Sequence, residues 1–287
     1  MLVENLNHSP LDRIKTNQLP ALPSDVTYLV ESMLDDSIDF RQLAQVIERF
    51  PSIAARLIAL ANSAWSAPVN PINSLDMACA RLGFGVVRST CIALAVASSF
   101  DSTRCPAFNP ETFWCHALLL ADASTWLAQA APMQIRPSSQ ITRTAGLLHK
   151  LGLLWLADQL PDETHQAIVK KQNDPNTTLK QALQGLIGID YLDVGAVLAK
   201  AWKMPEPLVT AMSRDSISDE MPYWETILMV ITADSMVSQL RQEAPWLASD
   251  KRLASLGIDT QAANEVFEKL SRQYLVTLGL ASMLFSR

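Results

Sequence analysis

His116 and Asp234 stand out among the residues whose types could do chemistry, because each is a polar group set in an apolar helical stripe. Phe113, His116, Leu120, Ala123 and Leu127 recur at a spacing of three and four, as do Ile227, Val230, Asp234 and Val237. A carboxylate on such a face is costly unless it is paired. Imidazole and carboxylate held in an interior can ligate a metal or pass a proton, although a lone histidine on an apolar face is more often a satisfied core residue. His149 lies at the end of another apolar run, next to Lys150, and His165 in PDETHQAI reads as an exposed surface residue. The cysteines (Cys79, Cys91, Cys105, Cys115) contain no C-x-x-C pair and read as small buried hydrophobes. A zinc site from Cys105, Cys115 and His116 would match no finger spacing. Nucleophile elbow, P-loop and dinucleotide fingerprint are all missing, and LGFGVVRS has only Gly-x-Gly with no strand before it.

The elements that must position these residues are helices. The chain has 287 residues, 49% of them hydrophobic and only nine of them glycine, so it can bury a large core. Ile38, Leu43, Val46, Ile47 and Phe50 form one three-four stripe, and Ile53, Leu57, Ile58 and Leu60 part of another. Asn109-Pro110-Glu111 reads as a cap, a first-turn proline and a first-turn acid, and Ser74 with Asp76 as a second helix start. The pattern predicts an all-α fold of about a dozen helices, estimated from this periodicity. Joints are expected near 101–109, 213–221 and 244–260, with a leader over 1–17. The net charge of −6 is spread along the chain and argues against a nucleic-acid footprint. The N-terminus shows no signal peptide. The longest apolar stretch, Cys91 to Ala97, is far too short to cross a bilayer, so a cytoplasmic protein without membrane contact is expected.

Several motifs then occur in a telling order. They are LPALP at 19–23, FPSIAARLIALANSAW at 50–65 and INSLDMACARLGFGVVRSTCIALAVASSF at 72–100. FWCHALLLADA at 113–123 and AGLLHKLG at 145–152 follow, with a weaker segment at 188–211. The series resembles the HDOD family (HD-related output domain) of bacterial signalling proteins, a degenerate branch of the HD phosphohydrolases. Leu19, Pro20, Leu22 and Pro23 match the opening; Asn62, Ser63 and Ala64 the Asn-Ser-Ala helix end; Ser74, Ala78, Leu82 and Gly83 the Ser-x-x-x-Ala helix leading into Leu-Gly. The resemblance covers most of 18–213. It implies a multi-helix bundle of the HD-domain type, with an N-terminal helical subdomain over 18–100 packed on an HD-like subdomain over about 108–287.

The resemblance also implies where a metal site would stand in the parent enzymes. The first histidine corresponds to His116, the His-Asp pair to His149-Lys150, and the late aspartate to Asp234. Lys150 is the departure: an ammonium stands in place of a carboxylate ligand and cannot bind a metal while protonated. The histidine that follows Gly-x-Asp in the parents is Tyr191 here, and a later His-His is replaced by Ser213-Arg214-Asp215. The expectation is a vestigial site in which Lys150 neutralises Asp234, with no metal and no cofactor. The implied role is that of a non-catalytic regulatory module binding a signalling protein or a small ligand. A residual metal-dependent phosphohydrolase acting on a nucleotide or cyclic dinucleotide is the alternative, and a purely structural scaffold the third. A ligand cleft lined by Arg81, Arg88 and Tyr191 would favour a ligand sensor. Trp65, Trp114, Trp126 and Trp155 are expected in the core. The oligomeric state is not legible.

Overall fold

The computed structural model describes residues 22–35, 37–174, 176–213, 221–241 and 251–285, and every regular element among them is a helix. The leader, Leu19, Pro20, Arg214, Asp215 and residues 244–250 of the third joint lie outside the described residues. The first five helices are α1 (Ser24–Leu34), α2 (Phe40–Glu48), α3 (Pro51–Ala61), α4 (Leu75–Leu82) and α5 (Phe84–Ala97). Local chemistry sets their ends. Asp39 opens α2 with a reciprocal cap, its carboxylate accepting from the Gln42 N–H while the Gln42 side chain accepts from its own. The Asn62 carboxamide donates to the Ile58 and Ile72 carbonyls and accepts from the Ile72 N–H, so it staples the loop after α3 to the helix end. Gly83 has φ +77°, a conformation that favours glycine, and there the chain turns 113° from α4 into α5.

A 3₁₀ turn at Ser102–Arg104 leads to α6 (Pro110–Ala130), opened by the Asn109 cap on the Thr112 N–H. Next come α7 (Ser139–Leu148), α8 (Leu151–Gln159), α9 (Pro161–Asn173), α10 (Leu179–Ile187), α11 (Tyr191–Ala201) and α12 (Glu206–Ala211). The last three are α13 (Trp224–Arg241), α14 (Lys251–Ser255) and α15 (Thr260–Phe285). Helix α6 is the hub, packed on α7, α13 and α15, while α8 packs on α11 and α9 on α10. Helix α5 contacts both α1 and α7, and α15 reaches back to α3 and α5. The apolar core is therefore continuous from Leu29 to Phe285.

Buried arginines tie the helices before and after the 3₁₀ turn. Arg143 on α7 pairs with Asp122 on α6 and donates from Nε to the Gly85 carbonyl (3.2 Å) and the Ser89 hydroxyl (3.1 Å) on α5. Sequence reading missed this cluster, since Asp122 drew no attention within FWCHALLLADA and Arg143 lies outside the recognised motifs. Their one signal was that charges interrupt otherwise apolar runs. Trp114 and Trp155 are buried as expected, but Trp65 and Trp126 are only half-buried. An indole can lie with one face open, and the Lys269 ammonium stands 4.0 Å from the Trp126 ring. His165 is half-buried rather than exposed, because α9 is covered by α8 and α10 on one side.

Two helix crossings depend on missing side chains. A Cβ on Gly146 would meet the Ser124 hydroxyl at 2.7 Å and the Leu120 carbonyl at 2.9 Å. A Cβ on Gly152 would overlap the Tyr191 carbonyl and lie 2.6 Å from the Gly195 nitrogen. Gly152→Ala is expected to lower stability by roughly 2 kcal/mol through overpacking. Gly185→Ala, where a Cβ meets nothing, should be neutral or stabilising. Urea unfolding of the two variants checks the contrast, and equal midpoints would show that α8 and α11 separate at little cost.

Candidate functional site

The site forms where α6, α13 and the α7–α8 break converge. His116 projects from α6 and Asp234 from α13, each from the stripe its neighbours define. His149 ends α7 and Lys150 precedes α8, so the chain bends between them. The consecutive side chains then serve different partners. The Lys150 ammonium reaches Asp234 Oδ1 at 2.7 Å and lies 3.0 Å from His116 Nε2. His116 Nε2 is 2.6 Å from the same Asp234 oxygen. His149 turns the other way, its Nδ1–H donating to the Ala211 carbonyl of α12 at 2.9 Å. The structure thus brings His116, Lys150 and Asp234 into one contact and gives His149 to the backbone of a neighbouring helix.

Tyr191 joins from α11. Gly188, left-handed at φ +77°, ends α10, and the buried Asp190 caps α11 by accepting from the Leu192 and Asp193 N–H groups. This sets Tyr191 at the first position of α11, with its ring centroid 5.9 Å from Lys150 Nζ. The cleft expected around Arg81, Arg88 and Tyr191 needs correction. Arg88 is buried, donates from Nη2 to the Asp35 carbonyl at 2.6 Å and lies over the Phe84 ring. Arg81 holds the turn at Ser66 and Ala67 through their carbonyls and the Ser66 hydroxyl. Both guanidiniums are bonded to backbone carbonyls, so Tyr191 belongs with Lys150 and not with them.

Electrostatics follows from the packing. Burial, and after it the Lys150 charge, pushes the His116 imidazole down to about 4, against the pull of Asp234. His116 is therefore neutral at pH 7. A separation of 2.6 Å from a carboxylate oxygen requires a proton, so Nε2–H donates to Asp234. Nδ1 carries the lone pair and has no hydrogen-bond partner among the described residues. Burial alone would raise the Asp234 carboxyl. The Lys150 charge, the His116 hydrogen bond and the His149 side chain together outweigh it and hold the carboxyl well below the ordinary carboxylate range.

These residues do not fit a divalent cation. The ammonium stands within hydrogen-bonding distance of both groups that would have to ligate it, and the repulsion between two cations in one small site is severe. Among the described residues, no three His, Cys, Asp or Glu side chains gather as a metal would require. Cys105, Cys115 and His116, whose spacing fits no zinc finger, do not gather among them either, and all four cysteines are buried.

An all-helical scaffold with an ion pair at the convergence of its central helices defines the class of protein. The chain belongs to the HDOD family: the HDOD domain model matches residues 19–217. A search of curated proteins finds no match. Three solved structures share the fold. A "putative signal transduction protein" from Marinobacter aquaeolei VT8 aligns at TM-score 0.80 and 24% identity, covering 97% of this chain and 62% of that one. The chain thus spans less than two thirds of that relative. A "putative phosphohydrolase" from Shewanella amazonensis SB2B aligns at 0.75 and 23%, covering 96% of this chain and 98% of that one. An HDOD domain protein of unknown function from Geobacter sulfurreducens aligns at 0.75 and 21%, covering 97% of each. No single helix among the described residues is long and apolar enough to cross a membrane.

Lys150→Met strands the Asp234 carboxylate and should cost roughly 2 kcal/mol, below the usual penalty for a broken buried pair because both groups keep some solvent. Adding Asp234→Leu should recover most of that loss, and urea unfolding of the single and double variants reads the coupling. The pH response has a definite sign. His116 is depressed in the fold, so the unfolded chain takes up its proton first and stability falls as pH drops from about 6.5 toward about 4. Asp234 adds a further loss below its ordinary range, near 3.8. The unfolding midpoint between pH 7 and 5 should fall in the parent chain and be measurably flatter in His116→Gln.

Proposed function

We propose that this chain is a non-catalytic regulatory module of bacterial signal transduction, acting by binding a signalling protein or a small ligand. The observation that carries the reading is the position of Lys150. Its ammonium stands between His116 and Asp234, where HD phosphohydrolases need a cation to activate water. A side-chain charge anchored in the chain neutralises the carboxylate but offers no open coordination position, so hydrolysis loses its Lewis acid and its nucleophile together. The HDOD assignment and the fold shared with a signalling protein support a regulatory role.

The competing reading is a residual metal-dependent phosphohydrolase acting on a nucleotide or cyclic dinucleotide; one neighbour is called a "putative phosphohydrolase". Elemental analysis of protein purified without chelator or affinity metal separates the two. The expected result is Mn, Fe, Zn and Ni each far below one per chain. Near-stoichiometric metal that disappears in His149→Ala would sink the regulatory reading and put the hydrolase first.

A further inference from the structure

A second feature lies away from Lys150. A half-open cavity of about 360 Å³ separates helices from the two parts of the chain. Leu29 of α1, Ile53 of α3 and Leu94 of α5 line one side, and Trp114 of α6, Leu154 of α8 and Phe285 of α15 the other. Its volume lies within the usual range of small-molecule sites, and its walls have the expected mixture of apolar surface and a few polar groups.

Those polar groups are not balanced in charge. Arg56 is the one charged side chain among the described residues that line the cavity. Its Nη1 donates to the Leu284 carbonyl, which leaves most of the guanidinium fork for another acceptor. Nearby, α3 begins at Pro51 with no side-chain cap from Phe50, and Phe50, Ser52 and Ile53 line the cavity. Pro51 has no N–H and the Ile53 N–H donates to the Phe50 carbonyl, so this end offers the Ser52 N–H and the positive pole of the helix dipole. Ser102 is an independent pointer. The residue is 94% buried and lines the cavity, yet its hydroxyl has no hydrogen-bond partner among the described residues. The hydroxyl is open to the cavity and can bond a ligand or an ordered water there.

We infer that this cavity is a binding site for a small monoanionic amphiphile, its apolar tail among Leu29, Leu94, Trp114 and Leu154 and its anionic head at Arg56. The site is separate from His116, Lys150 and Asp234, and the inference stands whether or not that centre is catalytically silent. A bound tail touches helices from both parts of the chain and packs against α6, where Trp114 lies two residues before His116.

Calorimetric titration of the full chain with decanoate, below its aggregation concentration, tests the site. Saturable one-to-one binding is expected, with decanol weaker and decyltrimethylammonium weaker still. Losing one charge-assisted hydrogen bond in Arg56→Gln should weaken decanoate about tenfold without affecting decanol, and Arg56→Lys should retain part of it. Ala97→Phe, at a half-buried lining position, should abolish binding of both. Thermal unfolding of each variant verifies that the fold survives. No saturable decanoate binding to the folded parent chain, or binding that neither Arg56→Gln nor Ala97→Phe alters, overturns the site. Equal affinity for decanoate and decanol, unchanged by Arg56→Gln, overturns the anionic head.

Discussion

A carboxylate placed on the core-facing side of α13 must find a positive charge, and much of the arrangement around it follows from that need. Asp234 lies at the meeting point of α6, α13 and the α7–α8 break, with Lys150 and His116 both bonded to one of its oxygens. The carboxylate stays ionised because the Lys150 charge, the His116 hydrogen bond and the His149 side chain together outweigh the cost of burial. The imidazole stays neutral because burial and the same ammonium oppose its protonation. The same lysine thus favours the charge states of both partners. It also constrains the backbone, since Lys150 can reach inward only if α7 ends at His149 and the chain turns before α8 begins.

Under the proposed regulatory role, the same logic sets this centre apart from a hydrolytic one. A divalent cation in such a place would bring two charges and exchangeable water. An ammonium brings one charge, three N–H donors and no coordination site. Both hold helices together, but only the first activates water. On the proposed reading, the scaffold keeps a mechanical function, the joining of central helices through a buried charge. Tyr191 fits that reading, since an aromatic ring beside the ammonium adds a further favourable contact and contributes no ligand.

Beyond the ion pair, the two parts of the chain are joined by polar clasps as well as by apolar packing. Arg143 links α5, α6 and α7, and Arg56 ties α3 to the end of α15. Clasps of this kind hold helices in register where a sliding apolar contact would not, because guanidinium hydrogen bonds are directional. They leave between them the cavity lined by Trp114, which adjoins the helix that carries His116.

The sequence by itself determined the helical class and the family. Three-four periodicity, few glycines and capping residues such as Asn109 and Ser74 are local signals, and HDOD motifs in order are read directly from the chain. It also carried the charge argument that pairs Lys150 with Asp234, because substitution of an ammonium for a ligand is visible without coordinates. Only the tertiary structure decided which groups meet. His149 and Lys150 are adjacent in sequence yet serve different helices, since one chain break sends their side chains apart. Arg81 and Arg88 looked free for a ligand and are instead bound to backbone carbonyls, and Arg143, Arg56 and Ser102 had no motif to mark them. Periodicity specifies the face on which a residue lies. It does not specify which distant carbonyl, carboxylate or cavity lies opposite, because that depends on how helices far apart in the chain cross.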